Sequence, residues 1–367
     1  MEDTQFMRMA LELAQRGCGR TNPNPIVGAV IVKDGRVIGQ GYHDHYGGLH
    51  AERAALQSCT ESPRGAVLYV TLEPCCHFGR QPPCTDAILE AGIERIVVGS
   101  SDPNPLASGR GVKQLRSGGV QVETGILQAE CDALNPMFFH FIRAGTPYVT
   151  MKYAMTMDGK IATRTGVSRW ITGEAARQRV HADRGRYAAI MAGVGTVLAD
   201  DPLLTCRSEG GRNPLRVICD THFRIPLESQ IVRTAPSVPT VIAAGNGSNE
   251  KKKQLEAAGC RVWELPTSAG HVDLRALMKR LGDKKIDSVL LEGGGTLNWA
   301  ALEAGIVQKV QAYIAPKLFG GAAKTPVGGL GAALPEQAFL LKNTSVTALG
   351  EDFLLESEVA YDVHGNC

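Results

Sequence analysis

Residues 73–84 read Glu73-Pro74-Cys75-Cys76-His77-Phe78-Gly79-Arg80-Gln81-Pro82-Pro83-Cys84, and they follow an apolar run, AVLYVTL, at 66–72. The run predicts a strand, and Thr85 to Ala91 predicts a helix after the proline-rich loop. Upstream, His50-Ala51-Glu52 opens a second predicted helix, AERAALQSC, apolar on one side. One imidazole, clustered thiols and a nearby carboxylate are the parts that hydrolytic deamination needs. Zinc accepts nitrogen and sulfur ligands, and with three of them it keeps a position for a water whose pKa falls to roughly 7. A carboxylate beside the metal, but not bound to it, carries the proton. Cys84 sits at a predicted helix start, where the dipole favours a thiolate. A closed structural zinc site is the alternative, with Cys76 or His77 as a fourth ligand. It leaves Glu52 without a task.

Outward from this stretch the first part of the chain keeps one rhythm. IVGAVIV at 26–32, a turn at 33–36 and VIGQG form a predicted hairpin. Glu94–Gly99 and Val120–Val122 are further predicted strands. Strands alternating with helices predict a layered α/β domain. The stretch FFHFIRAGTPYVT reads as a junction, where a helix end meets Gly145, Thr146 and Pro147. Beyond it Tyr148–Tyr153, Ala188–Ala192, Leu215–Cys219, Thr240–Ala244, Ser288–Glu292 and Val310–Ile314 are expected strands, with helices at Lys251–Ala258 and Leu274–Leu281. Two of these strands run into glycine turns, at Gly193-Val194-Gly195-Thr196 and Gly293-Gly294-Gly295-Thr296. The 207–213 stretch, RSEGGRN, reads as a loop.

The chain has 367 residues, and single domains commonly hold ~100–200, so two domains are expected, 1–145 and 146–367. Residues 1–145 carry 13 Lys/Arg against 15 Asp/Glu, and the remainder 26 against 22. Neither balance suits a non-specific nucleic-acid binder. No apolar run approaches the ~18 residues that span a bilayer, and MEDTQFMRMALELAQRG reads as an amphipathic helix without a secretory core. The ten cysteines fit a reducing cytosol with free thiols. Cys18, Cys59, Cys131, Cys219 and Cys260 are isolated and are expected as small core residues.

At Asn22-Pro23-Asn24-Pro25-x-Val27-Gly28-Ala29-Val30, at His50-Ala51-Glu52 and at Glu73–Cys84 the chain resembles the cytidine deaminase-like superfamily, and within it the bifunctional riboflavin-pathway deaminase–reductases. Cys75 and Cys84 are nine positions apart instead of three, which is the riboflavin branch's inserted loop. The resemblance implies His50, Cys75 and Cys84 as ligands of one zinc, Cys75 being preferred to Cys76 because the ligand follows the proline. It implies Glu52 as the catalytic proton carrier and Asn24 as a substrate contact, although an NPNP run also builds turns. His77 and Arg80, in the loop between the cysteines, suit a substrate phosphate. His43 and His45 read as surface residues, His43 falling near the site.

From about residue 147 the chain resembles the riboflavin-pathway reductase domain, related in fold to dihydrofolate reductase. The matching pieces are Lys152-x-Ala154, Asp158–Ala162, Ser168–Thr172, His181-x-x-Arg184, Gly193-x-Gly195-Thr196, Asp200-Asp201-Pro202-x-Leu204-Thr205-x-Arg207 and Glu292–Gly295. A glycine turn from strand to helix also lets backbone amides approach a phosphate, but the G-x-G-x-x-G spacing of a Rossmann domain is absent. The resemblance implies NADPH contacts at Ala154, Trp170, Thr196, Asp200, Gly293, Gly294, Gly295 and Thr296. It implies substrate contacts at Ser168, Arg184, Leu204, Arg207 and Glu292, with Arg184 and Arg207 as phosphate clamps and Lys152 as the catalytic polar contact. Thr221 and Arg224 are candidates for the adenosine-ribose end of the cofactor.

The expected protein is therefore α/β throughout, a three-layer α/β/α deaminase domain followed by a dihydrofolate reductase-like domain. It deaminates 2,5-diamino-6-(5-phosphoribosylamino)pyrimidin-4-one with zinc and then reduces the ribosyl group to ribityl with NADPH. The expected setting is cytoplasmic, a homo-oligomer, a dimer, with a small phosphoribosylaminopyrimidine substrate and neither nucleic acid nor membrane as partner. An RNA-base or nucleoside deaminase fused to an unrelated domain is the alternative. The acidic first half and the long Cys75–Cys84 loop count against it.

Overall fold

The computed structural model describes residues 2–104 and 108–361. It divides into two compact units, Met1–Gly145 and Thr146–Cys367. In the first, α1 (Asp3–Gln15) precedes the hairpin β1 (Gly28–Lys33) and β2 (Arg36–Tyr42), then α2 (Ala51–Gln57), β3 (Val67–Leu72), α3 (Cys84–Ala91), β4 (Arg95–Ser100), α4 (Arg110–Ser117), β5 (Gln121–Thr124), α5 (Gln128–Leu134) and α6 (Pro136–Ala144). The sheet order is β2-β1-β3-β4-β5, and β1 is antiparallel to both β2 and β3. β3, β4 and β5 run parallel, as strands joined by helical crossovers do. Ala29, Ile31, Leu68, Val70, Ile96 and Val98 bury one face of the sheet together with Ala51 and Ala55 of α2 and Ile88 of α3. Val30, Val32, Tyr69 and Val97 bury the other face with Phe6, Met7, Ala10 and Leu11 of α1. The unbroken apolar runs of the sequence are explained by this two-sided burial. Gly28 sits where a Cβ would lie 1.9 Å from the carbonyl oxygen of Ala10, so the missing side chain lets α1 press onto β1.

The second unit begins with β6 (Tyr148–Thr156), α7 (Glu174–Arg186), β7 (Ala189–Gly193), α8 (Val194–Asp200), β8 (Leu215–Cys219), α9 (Gln230–Arg233), β9 (Thr240–Ala244), α10 (Asn249–Ala257) and β10 (Arg261–Glu264). It continues with the short pair β11 (Thr267–Ser268) and β12 (His271–Val272), then α11 (Leu274–Asp283), β13 (Ser288–Leu291), α12 (Gly295–Glu303), β14 (Lys309–Ala315), β15 (Leu340–Leu349) and β16 (Asp352–Ala360). The main sheet is ordered β10-β9-β8-β7-β13-β6-β14-β16-β15. Seven strands, from β10 to β14, are parallel, and the β15–β16 hairpin joins them antiparallel. Sequence periodicity does not find this hairpin, because β15 is exposed along most of its length and lacks an apolar face. It also misses β10, a four-residue edge strand.

The isolated cysteines do not all lie in the core. Cys131 and Cys260 are buried, whereas Cys18, Cys59 and Cys219 are half-buried. Cys18 lies in the turn after α1, Cys59 just past α2 and Cys219 at the open end of β8, so each ends an element instead of lying inside one.

Arg216, in β8, is fully buried and has no carboxylate partner among the described residues. Its guanidinium donates to Thr240 Oγ1 (2.7 and 3.0 Å), Thr234 Oγ1 (2.8 Å) and the carbonyls of Leu203, Ile231 and Val238 (3.0–3.1 Å). Burial pulls its pKa down to about 10. This arginine stitches the Leu203 loop, α9 and the loop after it to the sheet, and its loss strands several acceptors where water does not reach. We expect Arg216→Leu to destabilise the second unit by about 2–4 kcal/mol, read as a lower urea midpoint in the fluorescence of the buried Trp263.

Candidate active sites

His50 occupies the extended position just before α2, with φ −69° and ψ 157°. Cys84 is the first residue of α3. Cys75 reaches it because its carbonyl accepts the amides of Cys84 (3.0 Å) and Thr85 (3.2 Å), closing the inserted loop. The result is a tight group: His50 Nδ1 lies 3.4 Å from Cys75 Sγ and 3.4 Å from Cys84 Sγ. Among the described residues this is the one group of three or more metal-ligating side chains found together. A zinc tetrahedron with bonds of ~2.0 Å to nitrogen and ~2.3 Å to sulfur has N–S edges of ~3.5 Å, so the donors fit the ion without rearrangement. Cys76 is half-buried and His77 exposed, and neither joins the group.

The electrostatics are those of a ligand set. Hydrogen bonding from Cys84, with help from His50 and the Cys84 amide, holds Cys75 down to about 4 against its burial. The His50 imidazole is raised by its bond to Cys75. Glu52, in the first turn of α2, is 4% exposed, and burial followed by the negative field of Cys75 pushes it up to about 6. A carboxyl in that range can both take and return a proton near neutral pH.

Three neighbours complete this corner. Asn24 Nδ2 lies 3.2 Å from His43 Nε2, and His43 Nδ1 lies 2.8 Å from the Leu49 carbonyl. A protonated Nδ1 donating to that carbonyl leaves Nε2 to accept from Asn24. His43 is thus not a surface residue: it is 3% exposed, its ring centre is 5.5 Å from that of His50, and burial lowers its pKa. The usable signal was its place at the end of β2, the strand beside the one that Asn24 precedes. His45 is exposed and pairs with Asp44. Arg80 is exposed with its guanidinium 4.5 Å over the Tyr46 ring. Glu73, passed over in the sequence except as part of the motif, is buried and accepts the amides of Gly109 (3.0 Å), Val112 (3.2 Å) and Asp102 (3.4 Å). It ties the start of α4 beside the cysteine loop, and Gly111 permits the approach, since a Cβ there would stand 2.2 Å from the Pro74 carbonyl oxygen.

In the second unit Lys152 of β6 and Glu292, just past β13, meet because those strands are parallel neighbours. Lys152 Nζ lies 3.6 Å from Glu292 Oε2. Arg184 of α7 donates Nε and Nη2 to the two oxygens of Glu292 (2.7 and 2.8 Å) and Nη1 to the Thr205 carbonyl (3.2 Å). Burial opposes the charge on Glu292, but Arg184 and then Lys152 overcome it and hold the carboxyl at about 2. Burial lowers Lys152, and Glu292 partly restores it.

A cavity of about 690 Å³ opens at the carboxyl ends of β7, β8 and β13. Ser168, Thr196, Asp200, Gly294, Gly295 and Thr296 line it. Ser168 Oγ donates to Asp200 Oδ1 at 3.0 Å. No side chain caps the start of α12, so its first amides are available to an anion. A glycine-lined cavity with uncapped helix amides fits a dinucleotide cofactor. Lys152, Ala154, Trp170, Arg184, Leu204, Arg207, Glu292 and Gly293 do not line it.

Three expectations change. Arg184 is not an open phosphate clamp, because Glu292 and Thr205 already use its fork. The Leu204 side chain belongs to the core, 3% exposed, with Ile190, Val197 and Ile218, so only its backbone is left for a ligand. Trp170 is 62% exposed and lies under the Arg177 guanidinium at 4.7 Å, outside the cavity. Arg207 is exposed.

A zinc-type ligand set at a helix start, and a separate sheet with a glycine-lined cavity, define a deaminase unit joined to a reductase unit. Family models agree: the cytidine and deoxycytidylate deaminase zinc-binding region matches residues 1–100, and the RibD C-terminal domain matches 147–355. The chain is 54% identical to the riboflavin biosynthesis protein RibD of Actinobacillus pleuropneumoniae, over 97% of this chain and 95% of that one. It is 41% identical to that of Aquifex aeolicus over 96% and 97%. Among solved structures, Acinetobacter baumannii RibD superposes with TM-score 0.88 at 37% identity, covering 98% of this chain and 99% of that one. The Thermotoga maritima diaminohydroxyphosphoribosylaminopyrimidine deaminase/5-amino-6-(5-phosphoribosylamino)uracil reductase gives 0.85 at 37% identity, with coverage of 98% and 99%. The chain belongs to the RibD family of riboflavin biosynthesis proteins, and it is a bifunctional enzyme, a deaminase and a reductase.

The depressed Glu292 carboxyl has a consequence for acid stability. Its folded value of about 2 lies below its ordinary 4.5, so its stabilisation is present above about pH 4.5 and is lost as the pH falls toward 2. We expect Glu292→Gln to melt lower than the parent at pH 6 but to lose less melting temperature between pH 5 and pH 3, measured by calorimetry.

Proposed function

We propose that residues 1–145 deaminate 2,5-diamino-6-(5-phosphoribosylamino)pyrimidin-4-one and that residues 146–367 reduce the deaminated product to 5-amino-6-(5-phosphoribitylamino)uracil. The convergence of His50, Cys75 and Cys84 beside the buried Glu52 carries the first half of this reading. The names of the structural relatives supply the substrate class.

His50, Cys75 and Cys84 would hold the zinc, whose Lewis acidity, when it is bound, makes a water acidic near neutral pH. Glu52 would take the water's first proton at a carboxylate oxygen and give it to the pyrimidine ring nitrogen, then take the second from the hydroxyl now on the ring carbon and give it to the 2-amino group, which leaves as ammonia while the ring carbon keeps the oxygen as a carbonyl. Asn24, held by His43, is set to orient the pyrimidine, and burial of Glu52 keeps bulk water from its proton. His77 and Arg80 in the cysteine loop suit the substrate phosphate.

In the second unit bound NADPH would supply the hydride that reduces C1′ of the ring-opened ribosylamine. Gly294, Gly295 and Thr296 with Thr196 and Asp200, which line the cavity, are proposed around the cofactor, and Ser168, the Leu204 backbone, Arg207 and Glu292 around the substrate. Lys152 faces the sugar as the polar catalytic group and protonates the nitrogen as C1′ accepts hydride. Arg184 acts by fixing Glu292, and Glu292 fixes the Lys152 ammonium. Free cysteines throughout the described chain favour a reducing, cytoplasmic setting. Exposed Leu340, Leu341 and Val346 on the edge strand β15 favour a homodimer.

Two experiments test these halves. For Glu52→Ala we expect about one zinc per chain by elemental analysis, as in the parent, and a loss of ammonia release of at least about 10²-fold. For His50→Ala we expect zinc content and ammonia release to be lost together. A folded Glu52→Ala protein with full deaminase activity would refute the proton-carrier role. For Lys152→Met we expect NADPH oxidation driven by the deaminated ribosylaminopyrimidine to fall by about 10²-fold or more, with ammonia release unchanged. Oxidation that runs equally fast on dihydrofolate alone would overturn the reductase assignment.

A further inference from the structure

Asp183 of α7 and Tyr313 of β14 are titratable groups shut away from water, 1% and 0% exposed, and neither lines the cofactor cavity. Sheet register brings them to Lys152. β6 lies between β13 and β14, and the parallel β6–β14 pairing sets Lys152 against Gln311 and Ala154 against Tyr313. Residues two apart on a strand share a face, so these four side chains lie on one side of the sheet. α7 covers that side, where Ala176 and Val180 pack with Ala154, Tyr313 and Leu354.

The Tyr313 ring stands close to the Lys152 ammonium. Lys152 Nζ lies 5.7 Å from its centroid, over the ring face, within the ~6 Å reach of a cation–π attraction. The phenol is held in place. Its hydroxyl donates to Asp183 Oδ2 at 3.2 Å, and Gln311 Nε2 donates to the same oxygen at 3.4 Å. Gln311 Nε2 also donates to Glu356 Oε1 (3.0 Å), which Lys309 pairs at 2.8 Å. The other oxygen of Asp183 takes Arg179 Nε (3.4 Å) and Arg186 Nη1 (3.5 Å). Burial, and then the carboxylate of Asp183, keep the Tyr313 phenol above its ordinary pKa, so the ring is neutral and its face attracts a cation.

Lys152 thus has a different partner on each flank. Glu292 comes from just past β13, at 3.6 Å, and Tyr313 comes from β14. α7 adds Arg184, which repels the ammonium, and Asp183, which favours it. His181 of the same helix interacts with Arg184 and Glu292. Tyr187, at the end of that helix, donates to Thr150, two residues before Lys152. Burial opposes the charge on Lys152, so the ammonium depends on what these neighbours supply.

We propose that Tyr313 is a positioning residue of the reductase: its ring, held by Asp183, seats the Lys152 ammonium for proton transfer to the ribosylamine nitrogen. This rests on the reading of Lys152 as the proton donor. The ammonium gives one proton to the nitrogen as the carbon–nitrogen double bond is reduced, and the neutral amine left behind regains a proton from water.

Steady-state reduction of the deaminated ribosylaminopyrimidine by the full chain with NADPH, followed from neutral to alkaline pH, tests the assignment. The protonated lysine is the active form, so activity falls as the pH rises through its pKa. Without the ring the charged form loses support, and that limb moves to lower pH. For Tyr313→Leu we expect kcat to fall about 5- to 10-fold, KM to stay within about twofold and the alkaline limb to move down by about one pH unit. Tyr313→Phe keeps the ring and recovers most of the lost kcat and of the limb. Asp183→Asn, nearly isosteric, moves the limb the same way by a smaller step, so the test does not hang on the folding of Tyr313→Leu. NADPH binding within about twofold of the parent reports an intact second unit. An unmoved limb in Tyr313→Leu or in Asp183→Asn, or a Tyr313→Phe no better than Tyr313→Leu, would each overturn the assignment. A Lys152→Met chain that reduces at the parent rate would remove the proton-donor reading itself. That outcome is distinct from an inactive Lys152→Met beside a Tyr313→Leu that behaves as the parent.

Discussion

The carbonyl of Cys75 accepts the amides of Cys84 and Thr85, and the first active site hangs on that pair of hydrogen bonds. Two cysteines nine positions apart have no reason to meet in an extended chain. The bonds fold the intervening loop out of the way and place the second thiol at the N-terminal end of α3. His50 arrives from the start of α2, and the same helix carries Glu52 a half-turn further on, buried and close to the thiols but outside the ligand group. Glu73 fixes the far side by holding the start of α4 against the cysteine loop. Each ligand is thus held by backbone geometry, so the donors are already spaced for the ion.

The second unit meets a related constraint, which is to keep charges at strand ends in a dry environment. Glu292 stays ionised only because Arg184 spends two nitrogens on it and Lys152 stands on its other side. Removing either cation would leave an under-compensated buried carboxylate, which is why the group behaves as one device. The rim of the cavity separates its groups differently. Asp220 turns inward to hold a loop, and exposed Arg224 has no side-chain partner among the described residues.

Much of both sites was legible along the chain. His50, Glu52, Cys75 and Cys84 announce themselves because metal ligation demands rare residue types at helix and strand ends. The parallel strands were legible because two-sided burial leaves continuous apolar runs, as in Thr240–Ala244. Other features had no such signature. β15 carries no apolar face, and His43 looked like a surface residue in a polar stretch, yet it is buried beside His50. Leu204 matched a family motif, but its side chain belongs to the core, and Arg184 looked like a free clamp until its partner was visible. A sequence names donors and acceptors without saying which of them already satisfy one another.

The sequence by itself determined the two-unit α/β plan, the zinc chemistry and the family, because periodicity, composition and motif spacing are local properties. Tertiary structure alone decided that Cys75, not Cys76, faces His50 and Cys84, and that His43 supports Asn24. It alone decided that Arg184 serves Glu292, and that Asp183 holds Tyr313. These are pairings between residues far apart in the chain. A charge's partner, its burial and hence its protonation are set by what the fold brings within about 4 Å, a distance at which the local dielectric decides the outcome.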